Sequence, residues 1–173
     1  IDSLRDLGLT GNDFVIRVSS RNAWQDFFKT RCSDASKAYD FYQIIDKMER
    51  EQPEITEEKL KALNIGAEEV RSFIQSGTPT AELESVLRHL RSRGLGEVLQ
   101  IDYNIIRGLA YYTGVVFEAF DKGATMRAIA GGGRYNNLIK LISGERVDLP
   151  ALGFGMGDVV LADLLAERKL IPN

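Results

Sequence analysis

A single arginine stands among strand-forming residues in the stretch Ile105–Phe117, which reads IIRGLAYYTGVVF. Isoleucine, valine and phenylalanine favour strands, so the pattern predicts a buried or half-buried strand at each end, joined by a tight connection that contains glycine. A guanidinium beside such strands is costly to remove from water unless it meets an anion. We therefore expect Arg107 to pair either with a carboxylate of the chain, such as Asp102 or Glu118, or with an anionic ligand.

Two adjacent tyrosines, Tyr111 and Tyr112, lie in the middle of this stretch. Adjacent residues on a strand point to opposite faces of the sheet. The pattern therefore predicts that only one of the two phenols can face a given pocket.

Three consecutive glycines form a second unusual stretch, Ala130–Leu138, which reads AGGGRYNNL. They interrupt a strand pattern over Met126–Ala130, and a helical pattern over Tyr135–Leu141 follows. Glycine permits a positive φ and close backbone approach, and amides at such a junction can hold an anion or a polar ligand. A bulge at a sheet edge is the alternative. The spacing matches neither a Walker loop nor the dinucleotide-binding fingerprint.

A third stretch, Leu149–Val160, alternates glycine with larger residues and reads LPALGFGMGDVV. It predicts a short strand that carries Gly153, Gly155 and Gly157, followed by a helix over Asp158–Glu167. Alternating glycines leave one face of a strand free of side chains. A flat group such as an aromatic ring or a nucleobase would fit against that face.

An all-helical block is predicted between these strands and a strand near the start, because apolar residues recur at helical spacing from 22 to 93. Caps, prolines and glycines set its helix boundaries: one helix opens at Ser19–Asn22, one ends before Pro53, a short one follows Thr56, one is closed by Gly77 and the last is ended by Gly94. The strand patterns are Phe14–Val18, Val98–Ile101 and Asp102–Ile106.

Length and composition exclude several classes of protein. The 173 residues, 44% of them hydrophobic, suffice for one compact core. A net charge of −3 gives no overall basic footprint, so any contact with nucleic acid must be local. One cysteine, Cys32, rules out a disulfide framework and fits a reducing cytosol. His89 has no Cys or His partner at ligand spacing, so no metal site is predicted, and no apolar run suits a membrane.

The three stretches, in this order and spacing, resemble the C-terminal half of the catalytic domain of histidyl-tRNA synthetases. RGLAYYTGVVFE and AGGGRYNNL are similar to the signature stretches of these enzymes and their paralogues, and PALGFGMG resembles the last common motif of class II aminoacyl-tRNA synthetases. The resemblance is strong over Ile101–Pro172, thinner over Leu7–Arg21 and weakest in the helical middle. It implies an α+β fold: a class II synthetase-like antiparallel sheet with flanking helices in 1–21 and 95–173, and a helical insertion domain in 22–94.

The resemblance also implies a role for each candidate site residue. Arg107 would be the catalytic residue, contacting the histidine carboxylate and the α-phosphate of ATP. The implied histidine-binding residues are Arg107, Tyr111, Tyr112, Gly131, Gly132, Gly133 and Tyr135. The implied ATP-binding residues are Gly153, Gly155 and Gly157. ATP would be a substrate that arrives with Mg²⁺ and is bound mainly by segments outside this chain, and no tightly bound cofactor or bound metal of the chain is implied.

Two positions depart from the family pattern. The family usually has an acidic residue where this chain has Ala110. The last class II motif has an arginine that contacts ATP where this chain has Val160, and valine cannot bind a phosphate. ATP binding at that end must rely on other groups, or it is lost.

The helical insertion is the implied contact with the acceptor stem of tRNA. Its candidate phosphate contacts are Lys47, Arg50, Lys59, Lys61, Arg71, Arg88, Arg91 and Arg93. Glutamates intersperse with these cations, and a helix surface of mixed sign is more often only a solvated face.

Three hypotheses for the function remain. The first is a part of a cytoplasmic, homodimeric histidine–tRNA ligase that uses L-histidine, ATP and tRNA(His), with this part inactive by itself. The second is a synthetase-like paralogue that binds histidine as the regulatory subunit of ATP phosphoribosyltransferase. Val160 favours the paralogue, whereas the helical insertion favours the ligase, because such paralogues tend to be reduced there. The third is a purely structural dimerisation module, which would bind no histidine.

Overall fold

Five strands form one mixed sheet in the computed structural model, which describes residues 1–108, 111–123 and 126–171. In chain order the strands are β1 (Phe14–Ser20), β2 (Leu99–Ile101), β3 (Val115–Asp121), β4 (Ala130–Arg134) and β5 (Leu152–Met156). Their order in the sheet is β2-β1-β3-β4-β5. The α-helices are α1 (Asp2–Asp6), α2 (Arg21–Lys29), α3 (Ala38–Lys47), α4 (Pro53–Ala62), α5 (Ala67–Ser76), α6 (Ala81–Ser92), α7 (Leu138–Ile142) and α8 (Asp158–Glu167). The predicted α+β class is confirmed.

The sheet is antiparallel from β1 through β3 and β4 to β5, whereas β1 and β2 are parallel. The resemblance implied an antiparallel sheet and did not indicate this parallel pair. The chain leaves β1, forms α2 to α6 and then returns as β2. A connection of that length permits parallel pairing, which a short hairpin turn does not.

The predicted helix caps lie where the sequence placed them. Ser20 accepts a hydrogen bond from the Ala23 amide at 3.2 Å and opens α2, and Gly77 ends α5 with a φ of 55°. One start differs: α4 begins at Pro53 and not after Thr56. Proline suits the first position of a helix, where its missing N–H would have no partner within the helix.

The predicted strand Asp102–Ile106 is wrong. One carboxylate oxygen of Asp102 accepts hydrogen bonds at 2.9 Å from both the backbone and the side-chain amide of Asn104. The amide of Ile105 in turn donates to the Asp102 carbonyl at 3.1 Å. These bonds close a turn, so Arg107 follows a turn rather than a strand.

The three glycines do not interrupt a strand, as the sequence analysis expected; they form the centre of β4. They pair with β3 on one side and β5 on the other, and none of them has a positive φ. The helix after them starts at Leu138 rather than Tyr135, because the Tyr135 amide donates to the Ala151 carbonyl at 2.8 Å and extends the pairing with β5. The glycines therefore allow neighbouring groups to approach the sheet closely. They do not form a turn that exposes backbone amides to a ligand.

Two apolar clusters support the fold. Trp24 is at the centre of the first, where its ring contacts Phe27, Phe41, Phe73 and Tyr103 from α2, α3, α5 and the turn after β2. The second cluster joins α1, α6 and α8 to one face of the sheet. The helical insertion domain over 22–94 stays a prediction. Among the described residues, no helix is long and apolar enough to cross a membrane.

The outer strand β5 should make the 173-residue chain associate. Leu152 and Phe154 of this strand are 72% and 62% exposed. Because β5 pairs with β4 on one side only, its other edge presents unpaired backbone groups. We expect sedimentation velocity of the isolated chain to show concentration-dependent oligomers, and the double variant Leu152→Lys, Phe154→Lys to shift them towards monomer. A sharp monomer boundary at every concentration would contradict this prediction.

Candidate active site

The floor of the site is a patch of sheet that is almost free of side chains. Glu118 of β3 stands opposite Gly131 of β4, which stands opposite Gly155 of β5. Two residues along each strand, Val116 of β3 stands opposite Gly133 of β4, which stands opposite Gly153 of β5. Residues two apart on a strand share a face, so these glycines lie together on the face that carries Glu118.

Arg107 lies directly on this floor. A methyl group added to Gly131 would overlap the Arg107 guanidinium, so the glycine is what permits the contact. The guanidinium also forms an ion pair with Glu118, whereas Asp102, the other predicted partner, pairs with Arg17 at 3.4 Å. Burial acts to lower the pKa of Arg107, but the hydrogen bond and charge of Glu118 outweigh it, and the pKa is raised. The site therefore holds a permanent positive charge.

Tyrosine rings wall the site beside the arginine. The ring centroids of Tyr111 and Tyr112 are 4.7 Å apart, and that of Tyr135 lies 5.6 Å from Tyr111 and 6.2 Å from Tyr112. The prediction that only one of the two adjacent tyrosines can face a given pocket assumed that both lie on a strand. They precede β3 rather than lying within it, so strand alternation does not apply, and both rings join one cluster.

Two of the rings in this wall, those of Tyr112 and Tyr135, lie next to glycines of the floor. A methyl group on Gly153 would overlap the hydroxyl of Tyr135, and one on Gly133 would lie 3.0 Å from the ring of Tyr112. Burial raises the pKa of Tyr111, and the neighbouring Tyr112 hydroxyl adds to the effect. The Tyr111 phenol therefore stays neutral near pH 7, and a neutral phenol can both donate and accept a hydrogen bond.

The predicted ATP end of the site is open at Gly155, where an added methyl group would meet no atom within 4 Å. Gly157 lies further on, as the N-cap of α8. Val160 lies in the first turn of α8 and packs against the apolar cluster that joins this helix to the sheet. Ala110, the other departure from the family pattern, lies outside the described residues.

Further charged groups on this face were missed by the sequence analysis. Arg17 faces the same side of the sheet as Glu118, its partner in register, and lies 4.6 Å from the centre of the Phe120 ring. Burial raises the pKa of Glu49, and the negative charge of Asp102 raises it further. Alternation along β1 could have placed Arg17 on this face, but no local pattern indicates that Glu49 approaches Asp102.

Four of the eight predicted tRNA-contacting cations form ion pairs with carboxylates among the described residues. Those with ion pairs are Arg50 with Asp46, Lys59 with Glu51, Arg71 with Glu57 and Glu68, and Arg93 with Asp2. Such pairs on exposed helices are typical of a solvated surface. The contact with tRNA stays a prediction. The ion pairs do not favour it, because they already occupy these cations.

No group of three or more His, Cys, Asp or Glu side chains in the described ranges could hold a metal ion.

The mixed five-stranded sheet with its flanking helices has the α+β architecture of a class II aminoacyl-tRNA synthetase-like fold. A family model described as "Histidyl-tRNA synthetase" matches residues 35–158. The chain belongs to the histidyl-tRNA synthetase family, as the resemblance predicted.

Named relatives and solved structures agree with this assignment. The chain is 38% identical to a histidine–tRNA ligase of Opitutus terrae over 98% of its own length, and 34% identical to a chloroplastic/mitochondrial one of Arabidopsis thaliana over 96%. It covers 43% and 37% of these relatives, so it spans less than half of their length. A histidyl-tRNA synthetase structure from Nostoc matches at a TM-score of 0.70 and 25% identity, over 95% of this chain and 44% of that one.

One further structure shares the fold at lower identity. It is described as "an ATP phosphoribosyltransferase regulatory subunit/histidyl-tRNA synthetase" from Bacillus halodurans, with a TM-score of 0.72 and 21% identity over 95% of this chain and 47% of that one. At this identity the likeness shows a shared fold and nothing about function.

Proposed function

We propose that the protein containing this chain is a histidine–tRNA ligase. It would activate L-histidine with ATP to histidyl-adenylate and then transfer the histidyl group to tRNA(His). The observation that carries the proposal is the Arg107 guanidinium, held on the glycine floor beside three tyrosines. A fixed cation next to hydrogen-bonding phenols suits a substrate that has both a carboxylate and an imidazole.

In the activation step, a carboxylate oxygen of histidine attacks the α-phosphorus of ATP. A new P–O bond forms, the bond to the bridging oxygen breaks and pyrophosphate leaves with its electron pair. Negative charge builds up on the α-phosphate oxygens in the transition state. Arg107 would stabilise that charge and orient the attacking carboxylate, because a guanidinium can contact two oxygens at once.

In the transfer step, a terminal ribose hydroxyl of tRNA attacks the carbonyl carbon of histidyl-adenylate. An ester bond forms, AMP leaves with the electron pair of the broken bond and the hydroxyl proton is lost. The open face of the sheet at Gly155, where an added methyl group would meet no atom within 4 Å, would leave room for the nucleotide part of the adenylate.

The tyrosines would select histidine. Tyr112 and Tyr135 can each donate to or accept from a ring nitrogen, and the ring of Tyr111 packs against both of them. Hydrogen-bonded recognition of a polar side chain discriminates more sharply than an apolar pocket, since a competitor without the ring nitrogens leaves buried polar groups unpaired.

The remaining parts of the proposal follow the family. ATP would lie towards Gly155, with Gly153 and Gly157 on either side, and Mg²⁺ would be held by the phosphates and by groups outside the described residues. The full-length protein would be a cytoplasmic homodimer, and this part of it would be inactive by itself.

A second candidate, a histidine-binding regulatory subunit of ATP phosphoribosyltransferase, is favoured by Val160. An apolar side chain in the first turn of α8 offers no charge to a phosphate, which a purely histidine-binding protein does not need. The two candidates share the histidine pocket and differ in the use of ATP.

Calorimetric titration of the natural full-length protein with L-histidine, with and without ATP, separates the candidates when pyrophosphate exchange is measured on the same sample. We expect histidine to bind and to support exchange. Binding without exchange would replace the ligase by the regulatory subunit. An absence of binding would reject both and favour a structural module.

A further inference from the structure

The backbone of Arg107 is in an unfavourable conformation. Its φ is 57°, in the left-handed region that residues with a side chain rarely adopt. Such a conformation persists when its surroundings impose it, and residues of this kind cluster at functional sites. The contacts around Arg107 should therefore include groups that hold its backbone.

Two side chains of α3 bind the next residue. The Gly108 amide donates to Asp46 Oδ1 at 2.9 Å, and the Gly108 carbonyl accepts from the side-chain amide of Gln43. Residues three positions apart in a helix lie on the same face, so Gln43 and Asp46 reach the loop together. Both backbone groups of Gly108 are thus bound by one helix face.

Gly108 itself is required for this approach. A methyl group there would lie 2.7 Å from Gln43 Nε2 and 3.1 Å from Asp46 Oδ2. A cavity of about 380 Å³ opens between this helix face and the Arg107–Glu118 pair. The helix therefore holds the backbone of the loop and leaves the guanidinium free to face the cavity and the glycine floor.

Arg21 holds the same loop from the other side. Its guanidinium donates to the carbonyls of Ile106 and Arg107 at 3.4 and 3.3 Å, and its backbone amide donates to the Gly114 carbonyl at 2.9 Å. The side chain is 5% exposed and stacks at 3.6 Å over the ring of Tyr42, which is also on α3. Both ends of the loop are thus tied to α2, and α3 supplies the contacts to Gly108.

We propose that Asp46 and Gln43 are positioning residues for Arg107: by binding Gly108 they fix the loop so that the guanidinium lies on the glycine floor. Neither side chain forms a hydrogen bond with that guanidinium among the contacts of the described residues. This inference rests on the proposed function, because it assigns the two residues to the activation step. It also makes α3 part of the active site.

Kinetics of pyrophosphate exchange in the natural full-length protein test the role of Asp46. We expect Asp46→Ala to lower kcat about 10–100-fold while KM for histidine changes by about threefold or less. A displaced Arg107 guanidinium would be misaligned for the transition state, whereas the binding of histidine before the reaction would change little. Asp46→Asn keeps an oxygen acceptor for the Gly108 amide and should stay close to the wild type. Gln43→Leu, which removes the donor to the Gly108 carbonyl, should repeat the loss of kcat.

Asp40→Ala is the matched control, since Asp40 is an exposed aspartate on the same helix. It should leave kcat, KM and the melting temperature unchanged. The proposal is overturned if Asp46→Ala and Gln43→Leu fold and keep the wild-type kcat, or if Asp46→Asn is as impaired as Asp46→Ala. The second result would mean that the negative charge matters and the hydrogen bond does not.

Amide hydrogen exchange at Gly108 separates a failure of this inference from a failure of the proposed function. Faster exchange in Asp46→Ala, but not in Asp40→Ala, would support the contact even in a protein without pyrophosphate exchange, where the ligase proposal alone would fail. Equal protection in both variants would overturn the inference whether or not the protein is an active ligase.

Discussion

Replacing Arg107 by lysine is expected to lower kcat/KM for histidine-dependent pyrophosphate exchange by about 10²–10³-fold, a loss of about 3–4 kcal/mol of transition-state stabilisation. Lysine keeps the positive charge and the attraction to Glu118. It cannot contact the carboxylate and an α-phosphate oxygen with two fixed N–H groups, which is the geometry that the proposed mechanism needs. The assay is exchange of labelled pyrophosphate into ATP by the natural full-length protein.

Arg168→Lys is the control for this variant. Arg168 follows α8 and pairs with Asp13 at 2.8 Å, away from the glycine floor. Its replacement also alters an arginine–carboxylate pair, so it reports the general cost of such a change, which for a surface pair is about 0–1 kcal/mol. If both variants retain normal exchange while folded, Arg107 is not the catalytic residue and the proposed mechanism is wrong.

The helices could be predicted well because their signals are local. Ser20 caps α2 and Gly77 ends α5, and each acts on residues a few positions away. The turn at Asp102 was missed, although its signal is also local. Aspartate and asparagine side chains bind nearby backbone amides, so Asp102 followed by Asn104 favours a turn even among strand-forming residues.

The supports of the site could not be predicted, because they depend on contacts between distant parts of the chain. Asp46 is 62 positions from Gly108, and Arg21 is 86 positions from Arg107. No sequence pattern indicates that the two residues of either pair are in contact. Arg107 and Glu118 were predicted as one of two possible pairs, since the short separation left few carboxylates within reach.

The glycines of β4 were the most instructive error. A run of glycines predicts flexibility or a turn when only the chain itself is considered. In the sheet these glycines leave space that other groups occupy. The Arg107 guanidinium lies over Gly131, and the ring of Tyr112 lies beside Gly133. Sequence shows the missing side chains but not the groups that take their place.

Single glycine-to-alanine variants should therefore separate folding from function. Gly132→Ala is expected to destabilise the protein by about 3 kcal/mol, the upper end of the usual cost of overpacking, because its methyl group would overlap the Gly153 carbonyl and lie 2.7 Å from Phe154 Cα. Backbone atoms of a paired strand cannot move aside without breaking the pairing of β4 and β5. Urea unfolding measures this change.

Gly131→Ala and Gly155→Ala are expected to fold with little loss of stability. The methyl group on Gly131 would displace only the end of the Arg107 side chain, so kcat should fall by about 10²-fold through misalignment. At Gly155 the methyl group meets no neighbour, and alanine in a strand is about 0.5–1 kcal/mol more favourable than glycine. A raised KM for ATP in this stable variant would locate the nucleotide over β5, whereas an unchanged KM would remove Gly155 from the ATP site. A Gly132→Ala protein as stable as the other two would contradict the close pairing of β4 and β5 on which the whole site depends.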